Sequence, residues 1–264
     1  MSYENILFDI ADGRATLTLN RPDSLNSLNV AMMQEIRDAI GAIDVDQNAR
    51  VLVLKGAGRG FCSGADLAKG SGANNGDGPF DAGLVLELQI NPLMRLLADV
   101  RVPVVAAVHG AAAGVGCALA LAADFVVAAR SSYFLMAFAK VGLAPDGGAT
   151  WILPRLVGVA RAAEMLMLGE RIPAAKASEW GMIYKVADDD QLIAETDALA
   201  SRLASGPTVA YGLVRRALHA GLSSSYGQAL TLERENQRVA GLTEDFAEGV
   251  RAFREKRPAV FRGR

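Results

Sequence analysis

Between residues 102 and 150 an apolar β-type run, a small-residue turn and an apolar helical run follow one another: VPVVAAVHGAAAGVGCALALAADFVVAARSSYFLMAFAKVGLAPDGGAT. That order delivers a buried strand, through glycines, straight into a buried helix. Residues 102–108 read as a strand covered on both faces, since no polar side chain interrupts them. The turn at 110–116 is glycine and alanine apart from Val115, so a ligand can approach its backbone closely. The helical run 117–123 starts near Gly114, and the first N–H groups of a helix lack intrahelical acceptors. With the helix dipole behind them, they suit a developing negative charge. About thirty residues on, Gly142-Leu143-Ala144-Pro145-Asp146-Gly147-Gly148 holds the only carboxylate between Asp124 and Glu164. Apolar neighbours such as Leu143, Trp151 and Ile152 are expected to raise its pKa toward a useful range. Anion-stabilising amides beside one isolated carboxylate form a constellation for removing a proton next to a carbonyl.

The rest of the composition narrows the alternatives. A chain of 264 residues suits one large domain, or a domain with an appendage. A net charge of −2 and 6% aromatics argue against a nucleic-acid-binding face, which needs basic residues and stacking rings. Apolar runs fall short of a membrane span, and the N-terminus MSYENILFDI shows no signal-peptide pattern. Cys62 and Cys117 have neither a zinc-like nor a CxxC spacing, so free thiols in a reducing cytoplasm are expected. Metal ligands do not cluster along the chain. Gly114-Val115-Gly116 departs from a dinucleotide fingerprint: Leu119 stands at the sixth position and no acid follows at the required distance. No phosphate-binding GxxxxGK[ST] run exists.

The order of elements is readable. Asp12-Gly13 between two β-rich runs predicts a hairpin. Asn29 predicts a helix cap, with Met32, Ile36, Ile40 and Ile43 on one face of a helix to about residue 44. Residues 51–54 predict a short buried strand, and 56–64 a glycine-rich loop. Residues 70–83, rich in glycine and asparagine, read as a mobile loop. Helix is expected over 84–97, kinked or restarted at Pro92. Pro154, Gly158 and Pro173 punctuate short helices, and 182–186 reads as a last strand. Residues 191–264 are almost wholly helical, so the chain divides into 1–190 and a helical appendage whose apolar faces need a partner. Asp66 fits a helix N-cap. Asp124 fits a structural hydrogen-bonding role, His109 fits a packed, hydrogen-bonded ring, and His219 looks incidental. Asp146 fits a turn on pattern alone; its isolation among apolar residues points to chemistry.

These segments together resemble the crotonase superfamily, the enoyl-CoA hydratase/isomerase family. The resemblance is carried by Leu19-Asn20-Arg21-Pro22, Leu25-Asn26-Ser27-Leu28, Gly60-Phe61-Cys62-Ser63-Gly64-Ala65-Asp66-Leu67, residues 103–124 and 141–150, and Phe253-Arg254-Glu255-Lys256-Arg257. It implies an α/β fold, a spiral of ββα units over 1–190, and a helical trimerisation region over 191–264. It also implies acyl-CoA thioester substrates, no separate cofactor because coenzyme A is part of the substrate, no metal, and a homotrimer or a dimer of trimers. Carried over by position, the oxyanion-binding amides are those of Ser63 and Val115, the latter where relatives often have glycine. Ser24, Leu25, Ala65, Asp66 and Leu67 should border the coenzyme A. Phe253 and Lys256 should meet its adenine or phosphates from a neighbouring subunit.

The resemblance also separates reactions. Hydratases of this family use two glutamates; the matching positions here are Ala118 and Phe138, neither of which transfers protons. Isomerases and dehalogenases place their acid where Asp146 stands. The run 134–151 and Glu179-Trp180-Gly181-Met182-Ile183 are similar to the branch that isomerises ring-epoxide thioesters. The expected activity is therefore an acyl-CoA isomerase that shifts a double bond or opens a ring epoxide, with Asp146 as base. Phe80, Met136, Phe138 and Trp151 suggest an apolar acyl pocket. The rivals are an enoyl-CoA hydratase and a non-catalytic acyl-CoA- or RNA-binding member of the fold. The helix from residue 30 to 44 carries Arg37 as its only base, which lacks a phosphate-binding stripe.

Overall fold

A computed structural model describes residues 3–66 and 81–264. Strands β1 (Ile6–Ala11) and β2 (Arg14–Leu19) pair antiparallel around Asp12 and Gly13, whose φ of 51° and 77° are what a tight hairpin turn needs. Helix α1 (Val30–Val45) is capped by the Asn29 side chain, which accepts from the Met32 N–H at 2.8 Å. Its Met32, Ile36, Ile40 and Ile43 are each at most 1% exposed. Burying such a side chain contributes roughly 1.5–3 kcal/mol, so this face outweighs helix propensity in holding α1.

Strands β3 (Val51–Gly56), β4 (Val104–Val108), β6 (Phe125–Ala129) and β9 (Lys185–Ala187) extend β2 in parallel, giving one six-stranded sheet in the order β1-β2-β3-β4-β6-β9. A second sheet of β5 (Ala111–Ala113), β7 (Tyr133–Leu135) and β8 (Ile172–Pro173) stands beside it. Both faces of the large sheet are covered, which is why its central strands are apolar throughout. Leu52, Leu54, Val104 and Ala106 point into the main core with α1. Val51, Val53, Val105 and Val127 point the other way, against Leu192, Ala200 and Leu203.

The segment before β4 runs as α2 (Ala82–Val85), a π-turn at Leu86–Ile90, and α3 (Asn91–Asp99). The break expected at Pro92 is this wide turn, because proline in the first turn of α3 brings no N–H to the helical ladder. After β5 come α4 (Val115–Leu121), α5 (Ala149–Ala163), bent at Gly158, and α6 (Ala174–Glu179). The expected turn at 110–116 is in part the strand β5. Helix α7 (Leu192–Ala204) lies on the sheet. The helices α8 (Thr208–Gly221), α9 (Tyr226–Ala240) and α10 (Glu244–Glu255) follow. The last residues fold back on α10: Asp245 accepts from the Arg262 and Gly263 N–H groups, and Glu248 accepts from Arg257 and the Val260 N–H.

Candidate active site

Two loops and two short elements build the site. Arg21 ties the first loop to the second: its guanidinium donates to Ser27 O at 2.5 Å and to Asp66 Oδ2 at 2.9 Å. Asn26, fully buried, accepts from the Arg21 N–H and donates to Ala57 O and Gly60 O. Leu25 and Asn26 are both left-handed, at φ 51° and 57°. That conformation turns Leu25 O onto the Ser63 N–H at 2.9 Å, while the Ser63 hydroxyl donates to Ser24 O.

This pairing corrects the expected donor. The Ser63 N–H is already committed to Leu25 O. Just beyond it, Gly64 O accepts from the Leu28 N–H and the Asp66 N–H donates to Leu28 O, as in a parallel bridge. Neighbouring amides in such a bridge point alternately to and from the partner strand. The Ala65 N–H between them has no hydrogen-bond partner among the described residues.

The second donor lies where expected. Gly114, at φ 53° and ψ −131°, takes a conformation open only to glycine, and its N–H donates to Leu135 O. Val115 is the first residue of α4, and its N–H has no partner among the described residues. The two donor loops touch at their glycines, since a Cβ built on Gly64 would lie 3.7 Å from Gly114 Cα.

Asp146 sits on the same helix end. It belongs to a turn closed by the Ala149 N–H donating to Asp146 O, with Gly147 and Gly148 left-handed. A Cβ built on Gly147 would fall 2.8 Å from Ala118 Cβ and 3.2 Å from Val115 Cγ2, so the turn rests directly on α4. Asp146 Oδ1 is buried without a hydrogen-bond partner. Burial pushes its carboxyl from 3.8 up to about 6. Phe138 is buried with its ring end near Gly114, and Ala118 is wholly buried. Water therefore finds no proton-transfer group at either position.

Ser24, Leu25, Ala65 and Asp66 gather beside the donors. Asp66 takes part in an ion pair with Arg21. Leu67, Phe80 and residues 70–80 of the expected loop lie outside the described residues. Of that loop's end, Asp81 caps α2. Phe253, 85% exposed, and Lys256 stand at the far end of α10, exposed to solvent. Trp151 lines a cavity of about 1110 Å³ bounded by α3, α5, α7 and α8, and Gly147 and Gly148, next to Asp146, line it too. His109 donates through its Nε2–H to Gly58 O, and Asp124 accepts from Arg215 and the Val104 N–H. Cys62 and Cys117 are free and buried, with burial pushing both thiols up to about 12. The Cys62 Sγ–H donates to Asn26 O. Among the described residues no group of three or more His, Cys, Asp or Glu is placed to hold a metal, and no helix is long and apolar enough to cross a membrane. Arg21 and Asn26, the two residues that hold the donor loop, were visible in sequence only as parts of the resemblance.

The two-sheet α/β fold with its helical C-terminal region is of the crotonase type. The chain belongs to the enoyl-CoA hydratase/isomerase family, whose model matches residues 9–264, and it is an enzyme of that family. It is 45% identical over 261 residues, 99% of either chain, to the 1,2-epoxyphenylacetyl-CoA isomerase of Escherichia coli strain K12. It is also 45% identical over 264 residues, the whole of both chains, to a probable enoyl-CoA hydratase of Rhodobacter capsulatus. The crystal structure of a putative enoyl-CoA hydratase from Streptomyces coelicolor superposes with a TM-score of 0.92 at 38% identity, covering 100% of this chain and 96% of that one.

Proposed function

We propose that this enzyme is an acyl-CoA isomerase in which Asp146 is the single proton-transfer group. The observation that carries the reading is the half-buried Asp146 carboxyl, its Oδ1 buried without a hydrogen-bond partner, seated on the helix whose first N–H has no partner among the described residues. The thioester oxygen accepts from the Ala65 and Val115 N–H groups. Asp146 takes a proton from the carbon next to the carbonyl, and the electron pair left behind moves onto the thioester oxygen as an enolate. Losing one such donor costs about 3 kcal/mol of transition-state stabilisation, so two free amides account for a large share of the catalysis. Asp146 then returns the proton two carbons further on, and the double bond moves into conjugation. One base serves both steps because donor and acceptor carbons lie on one face of a planar intermediate. On a ring-epoxide thioester the same base assists ring opening, a reading supported by the name of the Escherichia coli relative.

Ser24, Leu25 and Asp66 border the coenzyme A part of the substrate, which is the only carrier the reaction needs. Phe253 and Lys256 reach it from a neighbouring subunit of a homotrimer, alone or in a dimer of trimers. The hydratase reading draws on the name of the Rhodobacter capsulatus relative; Ala118 and Phe138 weigh against it. The test offers a 3-enoyl-CoA to the wild type and Asp146→Asn, following the conjugated 2-enoyl product by its ultraviolet absorbance, with crotonyl-CoA hydration alongside. Isomerisation lost in the variant, with CoA-ester binding kept, supports the reading. Fast hydration that survives in Asp146→Asn overturns it.

A further inference from the structure

Ala118 has a consequence beyond its lack of a proton-transfer group, physical and local. Ala118 Cβ and Val115 Cγ2 together form a seat on the first turns of α4, and Gly147 rests in it with no room for a Cβ. Ala118 is wholly buried and Val115 1% exposed, so neither side chain can swing away. Gly147 is itself buried, and its left-handed φ of 60° fixes the direction in which the neighbouring Asp146 leaves the turn. The Asp146 carboxyl has no hydrogen bond at Oδ1 to hold it. Packing under Gly147 is thus what locates the carboxyl along its own chain.

We propose that Ala118 and the Val115 side chain are positioning residues for Asp146, and that a large side chain at 118 excludes the Asp146-bearing turn from its place. This deepens the isomerase reading and rests on it for its catalytic meaning. Val115, whose amide offers the anion a donor, thereby links donor and base through a single residue: backbone toward the thioester oxygen, side chain under the turn.

The test uses full-length Gly147→Ala, Ala118→Gly and the double variant, with Asp146→Asn as reference. Four quantities are read: kcat and KM with a 3-enoyl-CoA, affinity for a non-reactive CoA thioether, and the titration of the ¹³C-labelled Asp146 carboxyl. Gly147→Ala is expected to lower kcat by about 100-fold, the scale of a roughly 1 Å misplacement of a catalytic group. Thioether affinity should hold within about threefold. The carboxyl titration should fall from near 6 toward an ordinary carboxylate as water reaches the displaced group. Removing Ala118 Cβ in the double variant should recover about tenfold of the loss, a coupling that contact residues show and backbone strain alone does not. Gly147→Ala with unchanged kcat and unchanged titration would overturn the proposal, as would a double variant no better than the single. If Asp146→Asn turns over like the wild type while Gly147→Ala still shifts the titration, the base assignment fails and the seat stands.

Discussion

Asp146 illustrates how one side chain couples activity and stability in opposite directions. Its carboxyl is raised from 3.8 to about 6 by burial alone. Between those values the folded protein holds a proton that the unfolded chain has released. Folding stability therefore declines as pH rises through that window, and the cost is fully present above about pH 7. A shift of this size corresponds to about 3 kcal/mol before solvent screening; for a half-buried group we take on the order of 1–2 kcal/mol. Asp146→Asn should raise the Tm at pH 8 and change it far less at pH 4, measured by thermal scans at both. Turnover by the wild type should fall as pH drops below about 6, because the base must be ionised. The residue was legible in sequence because it is the lone carboxylate in an apolar stretch. The donor was not: Ser63 and Ala65 lie in one loop, and only the left-handed Leu25 and Asn26, with no glycine to announce them, decide which N–H is spent.

Helix α8 is fastened to the rest by an ion pair whose arginine is buried and whose carboxylate is open to solvent. Arg215, 4% exposed on its side chain, donates to both oxygens of Asp124 and to Leu97 O and Val100 O at the end of α3. Asp124 in turn accepts from the Val104 N–H at the start of β4. Arg215→Ala leaves helix-terminal carbonyls without their donor and Asp124 without its partner, and because Asp124 can turn to water the expected cost is about 1–3 kcal/mol. A Tm drop with the midpoint of urea unfolding lowered by the same free energy is the expected result. Arg215→Met, which keeps the volume, should recover little, because the loss is of hydrogen bonds. Element identities were readable wherever a period or a cap was present, as in α1 with Asn29 and its isoleucine face. β5 escaped notice because three alanines carry no β signal; its pairing with Tyr133–Leu135 and with Cys62 makes it a strand.

At the scale of the whole molecule, α8–α10 carry exposed apolar residues in number: Val214, Leu218, Tyr226, Leu242, Phe246 and Phe253. Faces of this kind mark association surfaces. Light scattering should give three or six chain masses, in keeping with the proposed trimer or dimer of trimers. Lys256→Ala should then raise KM for CoA esters about fivefold with little change in kcat, the signature of lost uniform binding. A monomer with unaltered KM in that variant would remove the cross-subunit contact. The architecture was legible because resemblance and pattern agreed over the whole chain, whereas the placement of the C-terminal segment against Asp245 and Glu248 depends on long-range pairing that no local pattern encodes.

Cys62 lies one residue before the loop turn that carries the free Ala65 amide, with its thiol hydrogen-bonded to the facing loop, and Cys117 stands in α4 beyond it. Neither sulfur reaches solvent while those loops stay together, and both are too weakly acidic to react from within. The molecule thus contains its own clock: the rate at which a thiol reagent modifies Cys62 counts how often its loop and the Asn26 loop part company.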